Sequence, residues 1–218
     1  MSFTNSGLVL SLQSVIGSPI TVTAVTNADP GVHSATAHGL LDGDFVLAEY
    51  QGMVEANLRI FEIVNKSTDS FEFKDTTTGA NGIDTTNWGV FSSGTVKKIT
   101  FGTTLSGVTG FSPSGGEIKK VDSTEVSDLV DTETVVGATA MSYNMTLKWD
   151  PASPAQIAMR EAFEQRASRA FKIKWPGGQY AAFYGTVGYS GMPGGDNQGL
   201  TTTQAAISMQ GAPTYGKP

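Results

Sequence analysis

Cysteine is absent from all 218 residues, which excludes a disulfide framework and a thiolate metal site. Histidine occurs twice, at His33 and His38, and a metal would need more ligands than their surroundings offer. Charge is sparse, at 16% of residues, and leans acidic: 20 Asp and Glu against 14 Lys and Arg give a formal net charge of −6. Proteins that grip nucleic acid through its phosphates are normally basic, so tight DNA binding is disfavoured. No apolar run approaches the length of a membrane span, and no basic segment followed by an apolar run opens the chain. The expectation is a protein made in the cytoplasm that folds without oxidation, touches no membrane and takes no cofactor.

What is abundant is glycine, at 26 residues, together with Ser and Thr, a composition that favours strands and turns. The stretch from Met141 to Val187 reads as strand, helix, strand, strand. Met141, Tyr143, Met145, Leu147 and Trp149 alternate with Ser142, Asn144, Thr146, Lys148 and Asp150, the period of two that sends side chains to opposite faces. Ser153-Pro154-Ala155-Gln156 then supplies a helix start. Ser153 is placed to cap, Pro154 sits where its missing N–H costs nothing, and Gln156 can close a capping box. Ala155, Ala158, Met159, Ala162 and Phe163 share one face of a short helix ending near Ala167, with Arg160, Glu161, Glu164 and Gln165 turned to solvent. Beyond it, Phe171, Ile173 and Trp175 alternate with Ala170, Lys172 and Lys174, Pro176-Gly177-Gly178 signals a turn, and Gln179 to Val187 returns. Tyr143, Leu147, Trp149, Phe163, Phe171, Ile173 and Trp175 are the expected core anchors.

In order and pattern the segments Tyr143-Asn144-Met145-Thr146-Leu147-Lys148-Trp149-Asp150, Arg169-Ala170-Phe171-Lys172-Ile173-Lys174-Trp175-Pro176-Gly177-Gly178 and Phe183-Tyr184-Gly185-Thr186-Val187, with the helix between, resemble the core of the major tail tube protein of long-tailed, lambda-type bacteriophages (siphoviruses). The similarity is strongest over residues 117–213. It implies a mainly β fold, a sandwich or partial barrel flanked by one α-helix. It also implies six copies per ring, sheets joined edge to edge, rings stacked into a hollow tube in the virion tail, and passage of the genome from capsid to host. The implied partners are identical subunits, a tape measure protein, other tail proteins, and DNA in transit without specific binding. Each edge strand would be covered by a neighbour, and a lumen as acidic as the chain would let phosphates slide.

Ahead of that core, Gly7 to Val15 reads as one strand, behind a mobile Met1 to Asn5, and Gly17-Ser18-Pro19 breaks it. Ile20–Val25, Gly31–Ala37, Asp44–Tyr50, Leu58–Val64 and Ser70–Lys74 follow as short strands, with turn residues at Asp29-Pro30-Gly31, Leu41-Asp42-Gly43 and Gln51-Gly52. Thr76 to Thr86 reads as a loop, after which Trp88 to Phe91 rejoins the unit. Spacing of this kind suggests a small barrel or sandwich. His38-Gly39-Leu40-Leu41-Asp42-Gly43-Asp44-Phe45-Val46, Gly52-Met53, Asn57 and Asp69-Ser70-Phe71-Glu72-Phe73 are similar to a small β module that recurs in phage virion proteins. The expected organisation is a tail tube domain of residues 1–18 and 98–218, with residues 19–97 inserted as a β-barrel-like domain on the tube exterior.

Ile99, Phe101, Leu105, Val108 and Phe111 are inward anchors of the next segment, and Glu117 to Val121 is a strand. Asp122 to Thr134 is acidic and lacks clean periodicity, a length of loop that something must order. By resemblance it is an excursion that packs on neighbouring subunits, carried by Ser123, Glu125, Asp128, Leu129, Asp131 and Glu133; the bland alternative is a solvated loop. Thr201 to Met209 closes the fold after a polar Gly191–Gly199 loop.

Readings with catalytic content are weaker throughout. Asp42, Asp44 and Glu49 could be taken as a calcium cluster, but Asp42-Gly43 suits a hairpin turn better, and the histidines suit polar surface positions. Gly115-Gly116 and Met192-Pro193-Gly194-Gly195 do not lead from a strand into a phosphate-cradling helix. Glu161 and Glu164 lie on a solvated helix face rather than forming an acid/base pair. No nucleophile, base and orienting group assemble, so the chain reads as structural rather than enzymatic. The alternatives are a carbohydrate-binding or adhesion module of the tail, and the tube of a contractile tail or secretion system.

Overall fold

The computed structural model describes residues 7–75, 82–124, 130–196 and 199–217. Among these the chain is mainly β, with a single helix. In chain order come β1 (Val9–Val22), β2 (Ala24–Val25), β3 (Val32–Ser34), β4 (Phe45–Gln51), β5 (Arg59–Val64), β6 (Ser70–Phe73) and β7 (Ser93–Thr104). Next are β8 (Val108–Ser114), β9 (Ile118–Asp122), β10 (Glu133–Ala138), β11 (Ser142–Lys148), α1 (Pro154–Glu164), β12 (Ser168–Lys174), β13 (Tyr180–Tyr189), β14 (Thr202–Met209) and β15 (Thr214–Gly216). One antiparallel sheet runs β2-β3-β6-β5-β4-β7-β1-β12-β13-β14-β11-β8, with β15 beside β13; β9 and β10 pair only with each other.

The first strand does not stop at Gly17-Ser18-Pro19. It shifts register between Ile16 and Pro19 and resumes pairing from Pro19 opposite Lys97 to Val22 opposite Gly94. Proline is tolerated here because β12 covers β1 only from Val9 to Leu12, so the later part of β1 has β7 alone as a neighbour and needs no second ladder. The interruption expected from the sequence is therefore a bulge. β1 and β7 run unbroken from the segment 19–97 into the rest of the sheet.

Three apolar clusters follow from this arrangement. The first joins Leu10 and Leu12 of β1, Tyr143, Met145 and Leu147 of β11, Ala155, Met159 and Ala162 of α1, and Phe171, Ile173, Phe183, Val187 and Ile207. The second lies within 19–97 and is aromatic, with Phe61 stacked on Phe73 at 4.2 Å between ring centres and Trp88 and Phe91 packed at its edge. The third, Leu47, Ile60, Ile99, Ala170, Tyr180 and Ala182, joins the two. It is cemented by the Tyr180 hydroxyl donating to Glu62 Oε2 at 2.7 Å, and burial together with that carboxylate raises the phenol far above its usual range. Gly211 comes so close to the Leu58 carbonyl that a Cβ would sit 2.2 Å from it.

The helix forms where its start signals lie, but by different bonds. Ser153 makes no side-chain cap, and Gln156 does not turn back to close a box. Gln156 is instead buried. Its Nε2 donates to the Lys148 carbonyl at 2.6 Å, and its Oε1 accepts from the Asp150 N–H at 3.2 Å and the Tyr189 hydroxyl at 2.9 Å. One side chain thus ties the end of β11, the first turn of α1 and β13 together. The expected core positions of Trp149 and Phe163 are corrected: they are 38% and 49% exposed. Trp149 lies beyond the last residue of β11, where alternation no longer dictates its direction, and its indole N–H donates to the Gly191 carbonyl. Phe163 is in the last turn of α1, where Ala162 rather than Phe163 faces the first cluster.

Both histidines are also buried rather than on the surface. His33 Nδ1 lies 2.9 Å from the Tyr50 hydroxyl and its ring stacks on Phe71; burial lowers its pKa to about 3. His38 Nδ1 accepts from the Leu40 N–H, leaving Nε2 to donate to the Ser70 carbonyl.

Candidate assembly surface

Asp122 to Thr134, expected as a loop without periodicity, is flanked by a hairpin. β9 and β10 pair from Ile118 opposite Ala138 to Asp122 opposite Glu133, with a bulge between Val135 and Gly137. The hairpin leaves the main sheet through Gly115 and Gly116, both at φ +81°, a conformation that glycine alone takes without strain. Gly115 also lies so close to the Ala140 carbonyl that no Cβ would fit. The neck is closed by Thr139 N–H donating to the Glu117 carbonyl at 2.8 Å and Glu117 N–H to Thr139 Oγ1 at 2.9 Å. Towards the tip, Ser123 N–H donates to the Thr132 carbonyl and Lys120 pairs with Glu133. Hydrogen bonds from the Thr124 hydroxyl and backbone N–H hold the Asp122 carboxyl below its usual range.

No residue of β9 or β10 is covered. Ile118, Val121, Val135 and Val136 are each more than half exposed, as is Val130 nearer the tip. A lone two-stranded hairpin is marginal in water, and one with apolar residues on both faces and no core beneath it lacks the packing that would hold it. Of the residues expected to carry a subunit contact, Ser123, Asp131 and Glu133 are exposed on this hairpin and its tip, whereas Glu125, Asp128 and Leu129 lie outside the described residues.

Two further surfaces adjoin it. β8 bonds to β11 on one side only, so it forms an edge of the sheet, with Pro113 removing one donor from it. Beside that edge a groove of about 230 Å³ is lined by Phe111, Tyr143, Trp175, Phe183, Met209 and Tyr215. Tyr143, Leu147, Phe171 and Ile173 belong to the first cluster, and Trp175 packs at its margin.

Nothing in this constellation resembles a reaction centre. Asp42, Asp44 and Glu49 do not converge: Asp42 accepts from the Lys66 N–H, Asp44 pairs with Lys98 and Glu49 with Lys97. Among the described residues no three metal-ligand side chains gather, and no helix is long and apolar enough to cross a membrane.

Comparison with known families decides the class. Residues 60–217 match the family model described as phage tail tube protein. The chain belongs to the phage tail tube protein family. The match begins at the second residue of β5 and takes in every later element, so the open hairpin, the β8 edge and the apolar groove all fall within it. As a tail tube protein the chain is a structural component of the virion tail. A search of curated proteins finds no match. The strand expected over Glu117 to Val121 is present as β9; its partner β10 is not among the expected strands, and the usable signal for it was the β-branched cluster Thr134-Val135-Val136.

Proposed function

We propose that six copies close into a ring and that rings stack into the hollow tube of a flexible, lambda-type tail, through which the genome passes into the host. The observation that carries this reading is the hairpin β9–β10, an element with exposed apolar residues on both faces. Burying Ile118, Val121, Val135 and Val136 on neighbours would stabilise an assembly by roughly 1.5–3 kcal/mol for each large side chain, before ordering costs. The free edge at β8 adds a row of unspent backbone groups, and a ring removes such edges because each subunit covers the next. A net charge of −6 per subunit favours a conduit that does not hold phosphates. The tape measure protein and other tail proteins are the remaining partners. Residues 19–97 form an inserted unit on the exterior, and residues 1–18 with 98–218 form the tube wall. The test is a chain in which residues 118–138 are replaced by a short Gly-Ser linker. It should keep its circular dichroism spectrum and lose the ability to form rings or tubes in negative-stain images; tubes indistinguishable from those of the parent chain would refute the role given to the hairpin.

A further inference from the structure

Beside the joint between β11 and α1 lies an open cleft of about 660 Å³, lined by residues that include Ser106, Lys148, Trp149, Asp150, Ser153 and Thr201. Small-molecule sites commonly span about 300–1,000 Å³. Four stretches of chain wall the cleft: the β7–β8 turn, the end of β11, the start of α1 and the residues leading into β14. Hydrogen bonds fix these walls to one another. Lys148 N–H donates to the Gly107 carbonyl at 2.8 Å and Trp149 N–H to the Thr201 carbonyl at 3.0 Å. Gln156, with both ends of its amide engaged, fastens the start of α1 to the end of β11. The cleft is therefore formed before any ligand arrives, which removes an ordering cost from binding.

Its polar groups are largely unused by the protein. Ser153 is only 8% exposed, yet its hydroxyl neither caps α1 nor makes any other hydrogen bond among the described residues. A buried hydroxyl in that state carries a desolvation penalty that a ligand's hydroxyl would relieve. The hydroxyls of Ser106 and Thr201 and the ammonium of Lys148 also have no partner among the described residues. Asp150 accepts from the Ala152 N–H through Oδ1 at 3.0 Å and forms no ion pair among the described residues. Trp149 is 38% exposed and its indole N–H donates to the Gly191 carbonyl at 3.3 Å. It also borders a second recess of about 100 Å³, so the indole stands between two open spaces instead of packing into the core.

The charges narrow the ligand class. Lys148 and Asp150 carry opposite signs and do not pair with each other, so a phosphate or carboxylate in the cleft would meet Asp150 and a cation would meet Lys148. A sugar hydroxyl donates and accepts at once, which suits a lining that offers both kinds of group. The apolar C–H face of a pyranose ring in turn suits an indole. We propose that this cleft binds a neutral saccharide of one or two pyranose rings. Trp149 covers the apolar face of a ring, Ser106, Ser153, Thr201 and Lys148 bond its hydroxyls, and Asp150 accepts from one of them. The cleft shares no residue with the β9–β10 hairpin, the β8 edge or the apolar groove, so failure of either reading leaves the other standing.

The experiment is saturation-transfer difference NMR of the purified full chain with maltose, cellobiose, lactose and diacetylchitobiose, the signals being titrated for the parent and for variants. The expected result is saturation of ring protons in at least one of these disaccharides, with a dissociation constant of about 1 mM. Trp149→Ala should weaken that binding about tenfold or more, and Ser153→Ala about threefold, the worth of one ordinary hydrogen bond. Ser153→Ala guards against misfolding of the tryptophan variant, because the hydroxyl it removes bonds nothing among the described residues, and it should keep the parent's thermal melt. No saturation in any of the four sugars overturns the proposal. Binding that both variants leave unchanged places the saccharide elsewhere on the chain and also overturns it. Thymidine monophosphate that binds while the sugars do not, and is lost in Trp149→Ala, assigns the cleft to nucleotides instead and overturns the proposal.

Discussion

Replacing Gln156 with leucine is the sharpest test of how this fold holds its helix. The side chain is buried and makes three hydrogen bonds, to the Lys148 carbonyl, the Asp150 N–H and the Tyr189 hydroxyl. Leucine is comparable in bulk but one atom shorter, and satisfies none of them. A buried polar group left unpaired costs about 1–3 kcal/mol. The Tyr189 contact is the most buried of the three, while the Lys148 and Asp150 groups are partly reached by water, so the total should be roughly 3–4 kcal/mol rather than three full penalties. At about 2–4 °C per kcal/mol for a chain of this size, the melting temperature should fall by about 6–16 °C. Denaturant unfolding of the parent, Gln156→Leu, Tyr189→Phe and the double variant would measure both the loss and the coupling of the pair. A coupling of about 1 kcal/mol is expected for a buried hydroxyl–amide bond. A total loss under about 0.5 kcal/mol, the scatter of ordinary surface changes, would refute the tethering role.

Stability should fall as pH drops from about 6.5 towards 3: the unfolded chain protonates His33 near its ordinary value, whereas the folded chain resists until about pH 3, so the unfolded state binds more protons throughout that window. The limiting slope from this group is about 1.4 kcal/mol per pH unit, and His33→Gln should flatten the profile in urea titrations at pH 4 to 7; an unchanged profile would count against the buried, neutral histidine. Gly211→Ala should destabilise by about 1–3 kcal/mol, since its Cβ would meet backbone at Leu58 and cannot be relieved by a rotamer change; a thermal melt matching the parent would show that segment to be loosely docked. Val135→Ser with Val136→Ser should leave the monomer's melting temperature within about 2 °C, because neither side chain is covered, yet reduce assembly measured by sedimentation. Intact assembly would remove the apolar arm from the interface.

Much of the fold could be read from alternation and turn chemistry. Tyr143, Met145 and Leu147 lie on one face of β11 and enter the first cluster as their spacing requires, and Pro176-Gly177-Gly178 turns β12 into β13. What could not be read depended on tertiary context. Period two says nothing about Trp149, one residue after its strand ends, and helical spacing alone does not tell that Ala162 rather than Phe163 meets the core in the last turn of α1. Ala170, placed by alternation on the outer face with Lys172 and Lys174, is buried because β4 and β5 bring a third cluster against that side of β12. Pro19 looked like a terminator because nothing local reveals that β1 has only one neighbour there. The candidate assembly surface was half legible: an acidic run of that length asks for an ordering partner, but the β-branched residues flanking it stand out as an exposed hairpin only when no core is found beneath them.

The central claim is that the working object is a ring and a stack, not one subunit. Electron microscopy of the purified full chain across a range of concentrations tests it directly. The account predicts hollow cylinders built of sixfold rings, with extra density on the outer surface from residues 19–97. A monodisperse single subunit at every concentration, or cylinders whose wall has no sixfold repeat, would contradict it.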